Sequence, residues 1–190
     1  MKQKHENLKA MLECAIMAAL AAVLSTIRII KLPLGGSVTL LSMLPICLFA
    51  IRRGTRWGLI CGFLHGFMQL AFDFGEVIGW GLTPAALAGC IVFDYLIAFT
   101  VIGFSGIFRA HGRRGVISGT VFAIVLRFLS HLLSGVLLAS AWLPDSWDNP
   151  FLYSVCYNGA FMLPELIFTA AAVWLLSGIP AFSGLSEPRG

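Results

Sequence analysis

The sequence predicts an all-α integral membrane protein: one domain over residues 1–190, built of six transmembrane helices, with both termini cytoplasmic. Three observations predict it. The first is composition. The chain is 58% hydrophobic and 12% charged, with a mean hydropathy of +0.89, whereas a soluble domain carries about 25% charged residues. The second is segmentation. At about 20 apolar residues per span, the apolar runs leave room for six helices and for no second domain outside the membrane. The third is charge asymmetry. The N-terminus, the 52–56 turn, the 109–114 turn and the tail hold ten of the thirteen Lys and Arg residues. The opposite loops hold Arg28 and Lys31 together with Asp73, Glu76, Asp145 and Asp148. The positive-inside rule places the basic side in the cytoplasm. The net charge of +4 therefore sets orientation and does not mark a nucleic-acid binder.

Residues 1–9 are polar and basic, and the first span runs from Ala10 to about Ile30. Ala19-Leu-Ala21 has the form of a signal-peptide cleavage site, but the apolar run continues past it unbroken, as a span does. Leu32-Pro-Leu-Gly-Gly36 breaks the helix. The second apolar segment, Val38 to Ile51, is short and contains Pro45. The third runs from Trp57 to Phe72, the fourth from Leu82 to Phe108, the fifth from Val116 to Trp142 and the sixth from Phe151 to Leu176. Gly58, Gly62 and Gly66 recur every fourth residue on the third span, a spacing that lets helix backbones approach closely. The first span carries two small-residue pairs, Ala15 with Ala19 and Ala18 with Ala22. Each makes a smooth strip that suits packing within the chain or against a partner equally. The five cysteines show no metal-ligand spacing and read as buried small hydrophobes.

Polar groups at membrane depth are costly and turn toward a cavity or a partner. The sixth segment carries Tyr153, Tyr157, Asn158, Pro164 and Glu165. In a helix, Tyr153, Tyr157 and Asn158 fall on neighbouring parts of one face, as a binding-site wall requires. On the fifth span Arg127, His131, Gly135 and Trp142 fall along another face, and Asp94 lies near mid-depth on the fourth. Three helices thus aim polar groups at one outward-facing pocket. The blander reading of Asp94 and Arg127 is a buried ion pair, a poor stabiliser. Glu165 reads as a bond to a neighbouring helix, His65 as a packing histidine, and Glu13 as a side chain snorkelling at the inner edge. Tyr and Trp faces suit a flat ring or a cation, and His131 and Asn158 suit ring nitrogens. The chain has no Walker A motif, no H-E-x-x-H and no G-x-S-x-G. No cofactor or metal is expected.

These residues are similar to those of a known family. The chain resembles the thiamine-specific substrate-binding subunits, or S components, of energy-coupling factor (ECF) transporters. The resemblance covers nearly the whole length. It rests on the Ala-rich first helix, Gly35-Gly-Ser-Val-Thr-Leu40 with Ser42-Met-Leu-Pro45, Arg53-Gly-Thr-Arg-Trp-Gly58, Asp94-Tyr95, Arg127 and His131 with Ser134-Gly135, and Tyr153-Ser-x-x-Tyr-Asn-Gly159. It implies a thiamine site built by helices four, five and six and the first loop. It also implies a prokaryotic plasma-membrane location and assembly with a transmembrane coupling subunit and two ATPases. By resemblance, Asp94 stands where an acidic residue faces the aminopyrimidine. Tyr95, Arg127, His131, Gly135, Tyr153 and Asn158 match other pocket positions, and Ala15 and Ala19 match the strip that meets the coupling subunit. The chain departs from the family in having Asp94 where some members have Glu, Arg127 for Lys, and Ala139 for an aromatic that Trp142 replaces. Its first loop also has no aromatic cover.

The expected function is high-affinity thiamine binding for uptake, without catalysis. The rivals are the same fold binding another heteroaromatic vitamin or a thiamine precursor, a small intramembrane enzyme using Asp94 and His131, and a non-binding scaffold subunit.

Overall fold

A computed structural model describes residues 2–179; the tail beyond, with Arg189 of the cytoplasmic charge count, lies outside the described residues. Helix α1 spans Lys2–Thr26. It stops short of the expected Ile30, because the chain then turns into a hairpin. Strand β1 (Arg28–Lys31) pairs antiparallel with β2 (Ser37–Thr39), Ile30 opposite Val38 and Lys31 opposite Ser37. The chain is helical as expected, and this short hairpin is the one element that the sequence reading did not foresee. Ile27, Ile29 and Ile30 are β-branched, stiff in a helix and favoured in a strand. Pro33 and the left-handed Leu34 (φ 61°) and Gly35 (φ 88°) reverse the chain between the strands.

Helix α2 (Leu44–Arg53) has ten residues and rises about 15 Å, half the hydrocarbon core. Helix α3 (Thr55–Gly79) runs beyond the expected Phe72, since nothing breaks it before Gly79 and Gly81. Asp73 and Glu76, expected in a loop, are therefore helical, and they pair with the hairpin cations described below. Helix α4 occupies 84–106. It starts at Pro84 with Thr83 as its N-cap, opens into a π-helical stretch at Ile91–Ile97 and tightens to 3-10 geometry at Val101–Gly106. Helix α5 (Gly112–Leu137) runs back antiparallel to α4 and ends at Leu138, where the backbone leaves helical geometry. A short α6 (Ala139–Trp142) follows, so Trp142 is not on the continuous face of α5. Helix α7 (Pro150–Leu176) begins at the Asn149 cap, whose Oδ1 accepts from Leu152 N–H at 3.1 Å, and continues through Pro164.

The stretches 3–26, 84–137 and 150–176 are long and apolar enough to cross a membrane, the middle one folded into the α4–α5 pair. The glycine strip of α3 packs on α4, as its spacing predicts. A Cβ at Gly62 would collide with the Phe99 carbonyl, and one at Gly66 would lie 2.7 Å from the Tyr95 carbonyl oxygen. The two alanine pairs of α1 separate. Ala18 and Ala22 are buried in the core, while Ala15 and Ala19 face outward among exposed Leu12, Ile16 and Val23. Four cysteines are buried as expected; Cys156 is exposed on α7. Glu13, expected at the inner edge, reaches the basic 52–56 turn. It takes a bidentate pair from Arg53 at 2.6 and 2.7 Å, which holds that guanidinium above its ordinary value.

Candidate ligand-binding site

A cavity of about 130 Å³ opens between α3, α4, α5, α7 and the hairpin. At about 10–15 Å³ per water, it has room for about ten waters or one small organic molecule. All eight residues singled out from the sequence line it: Asp94, Tyr95, Arg127, His131, Gly135, Trp142, Tyr153 and Asn158.

Asp94 and Tyr95 reach the cavity from the π-helical stretch of α4, a deviation that recurs at functional sites. Asp94 Oδ1 lies 2.9 Å from His131 Nδ1, and its Oδ2 accepts from Ser134 Oγ at 2.5 Å. The Asp94–Arg127 ion pair is not formed. The Arg127 guanidinium instead lies 4.3 Å from the centre of the Phe99 ring, a cation–π contact. Both carboxylate oxygens of Asp94 already serve neighbours on α5, one and two turns above Arg127. Gly135 lets α7 approach α5, because a Cβ there would collide with Ser154 Oγ. Asn158 Nδ2 donates to Ser154 O at 2.9 Å and lies 3.0 Å from Ser154 Oγ.

The α7 wall is aromatic at every turn. Tyr153 stacks on Tyr157 at 5.8 Å, and Tyr157 meets the Phe161 edge at 6.0 Å. At the mouth, Trp80 and Trp142 form a T-shaped pair, centroids 5.4 Å apart. A Cβ at Gly35 would lie 3.2 Å from the Trp80 ring. The aromatic cover missing from the first loop is therefore supplied by Trp80, from the end of α3.

The hairpin roofs the cavity and is stitched on two sides. Toward α3, Arg28 pairs with Asp73 at 2.5 Å and Lys31 with Glu76 at 2.9 Å. Toward α7, Tyr157 OH donates to Pro33 O and accepts from Gly36 N–H at 3.1 Å. Glu165 Oε1 accepts from Thr39 N–H and from Thr39 Oγ1 at 2.7 Å. Glu165 thus bonds the hairpin, not a neighbouring helix, and it lines the cavity. His65 is fully buried and packs edge-on against Phe99 at 5.0 Å, as a packing histidine does, but it is not the satisfied one expected, because both ring nitrogens lie without a hydrogen-bond partner.

Sequence reasoning did not single out Ser25, Gln69, Asp73, Trp80, Phe99 or Ser134 as cavity residues. The available signal was Trp80 beside two glycines in an acidic loop. The others are ordinary residues of buried helix faces.

Comparison with known proteins gives a consistent result. Residues 11–180 match the family described as "Thiamine transporter protein". The chain is 31% identical over 187 residues to Thiamine transporter ThiT of Bacillus subtilis (strain 168), covering 91% of this chain and 92% of that one. It is 30% identical over 190 residues to Thiamine transporter ThiT of Lacticaseibacillus paracasei, covering 92% and 89%. The solved structure of ThiT from Listeria monocytogenes superposes with a TM-score of 0.73 at 30% identity, covering 93% of this chain and 98% of that one.

Proposed function

The chain belongs to the thiamine transporter protein family, and from that premise we propose that it is the high-affinity thiamine-binding S component of an ECF-type uptake transporter. The observation that carries the ligand is the charge of the cavity wall. Asp73 is neutralised by Arg28. Of the remaining charged side chains, Asp94 and Glu165 stand against the single Arg127. With His131 neutral, the wall carries one negative charge in excess. Buried charge is costly unless compensated, and a flat monocation such as thiamine compensates it. The aromatic wall and the tryptophan pair suit both of its rings.

Ligand contact falls to Asp94, Tyr95, Arg127, His131, Gly135, Trp142, Tyr153 and Asn158. Helices α1, α3, α4, α5 and α7 cross the plasma membrane of a prokaryote, and the hairpin with α2 completes the sixth crossing, so that both termini are cytoplasmic, as the distribution of Lys and Arg supports. Ala15 and Ala19 dock a transmembrane coupling subunit, which carries two ATPases, since this chain has no nucleotide motif of its own. The chain binds and releases its ligand unchanged.

The test is a titration of detergent-purified protein with thiamine, followed by tryptophan fluorescence and calorimetry. Ring stacking near Trp142 quenches the signal, and saturation falls below micromolar ligand, about 8 kcal/mol or more. Calorimetry showing no binding at tens of micromolar excludes thiamine and leaves a related heteroaromatic ligand, which mass spectrometry of the co-purified small molecule identifies.

A further inference from the structure

The hairpin that roofs the cavity has two unlike faces. Gly36, Ser37 and Thr39 line the cavity. Ile27, Ile29, Ile30 and Leu40 do not, and they are 46%, 58%, 51% and 42% exposed. Leu40 N–H donates to Ile27 O at 3.1 Å, so the apolar patch runs across both arms of the hairpin. Regular alternation along β1 would put Arg28 with Ile30 on one face and Ile29 with Lys31 on the other. The register slips between Arg28 and Ile30. With that slip both cations reach α3, where Arg28 meets Asp73 at 2.5 Å and Lys31 meets Glu76 at 2.9 Å, and both isoleucines stay outside. An exposed apolar patch of this kind marks a surface with a partner.

Continuity and length identify the partner. The patch carries on from Leu20 and Val23, which are exposed on α1, a helix long and apolar enough to span a membrane. From Ala10, where its apolar run begins, to Thr26, α1 rises about 25 Å at about 1.5 Å per residue. The hydrocarbon core is about 30 Å thick. The helix therefore ends short of the far side, and residues 27–30 fall at the boundary between acyl chains and headgroups. Charge agrees with that depth. Ions near hydrocarbon need partners, and each cation of β1 is matched by a carboxylate of α3. Open strand edges cannot enter hydrocarbon. The hairpin backbone is thus held at the boundary, and only its apolar side chains pass into the lipid.

We propose that the roof is seated in the outer leaflet: Ile27, Ile29, Ile30 and Leu40 lie among the acyl chains, and the bilayer is a third hold on the hairpin beside α3 and α7. The inference rests on the membrane-spanning reading of α1. Lifting the roof draws these side chains toward water, so the lipid seat slows the escape of a ligand.

Spin labels test the seat in phosphatidylcholine nanodiscs. Cys156→Ser removes the exposed thiol, and the four other cysteines are buried. Single labels are then attached to Ile29→Cys, Ile30→Cys, Val23→Cys and Ser146→Cys. Relaxation by oxygen, which partitions into acyl chains, is compared with relaxation by a water-soluble nickel chelate. Labels at 29 and 30 respond more to oxygen, as the label at 23 on α1 does, and unlike the label at 146 in the exposed loop before α7. Labels at 29 and 30 that match 146 overturn the inference and leave the patch to a protein partner. A label at 23 that also reads water removes the spanning reading and this inference with it. The measurement needs no ligand, so failure to bind thiamine does not touch it. The holding role is read separately. Ile29→Thr combined with Ile30→Thr keeps β-branched side chains suited to a strand and gives up their apolar ends. In nanodiscs this variant releases thiamine at least about fivefold faster, with little change in association rate. A release rate equal to wild type overturns the part of the lipid in holding the roof.

Discussion

Asp94 holds one bond from His131 and one from Ser134, and it supplies one of the two carboxylates facing Arg127 across the cavity. Asp94→Asn keeps the shape, surrenders one acceptor oxygen and removes the charge that offsets a cationic ligand. Thiamine binding falls by at least about 2 kcal/mol, the scale of a lost charged hydrogen bond. Calorimetry reads the loss, and circular dichroism shows the helices intact. Binding equal to wild type would mean that Asp94 neither positions His131 nor balances the ligand. At this scale the site was legible wherever a side chain was expensive at membrane depth: Asp94, Arg127, His131, Tyr153, Asn158. It was not legible for Ser25, Thr39 or Ser134, because a small hydroxyl can bond the nearby backbone as readily as a distant side chain and its type signals neither. Glu165 was noticed and assigned the wrong partner, since its partner strand was itself unforeseen.

Among the elements, α1 is the one whose two faces have separated tasks. Ala18 and Ala22 are inside, while Ala15 and Ala19 lie on the exposed face. Nothing among the described residues covers them, so a large side chain there meets no neighbour among those residues. Ala15→Trp or Ala19→Trp is expected to bind thiamine as wild type does but to lose co-purification with the coupling subunit and to support no uptake, because close helix approach depends on small residues. Uptake at the wild-type level by both variants would exclude this face as the docking surface. Spacing alone made both alanine pairs equivalent; only the rotation of α1 against α3 separates them. The π-helical stretch of α4 and the break at Leu138 were likewise invisible, because each is a local response to packing and not to a breaker residue. The hairpin had its turn residues in plain view, but its strands are apolar enough to pass for the ends of spans.

For the molecule as a whole, composition and the distribution of Lys and Arg gave the class, and the glycine spacing gave the α3–α4 contact. The closed form of the cavity came from long-range stitches that no local pattern carries: residues 28, 33, 36 and 39 joined to 73, 157 and 165. That closure governs time. A roof attached on two sides narrows the way out past the Trp80–Trp142 mouth, so the strength of its stitches bears on how long the ligand stays. The contacts beneath the roof set which ligand is held. Tyr157→Phe removes the hydroxyl that grips Pro33 and Gly36 but keeps the ring in the aromatic stack. The expected result is a residence time shortened about tenfold with little change in association rate, since affinity differences between close variants fall mostly on dissociation. A stopped-flow chase of bound thiamine, followed by tryptophan fluorescence, measures it. A dissociation rate unchanged from wild type would mean that the ligand departs by a route the roof does not control.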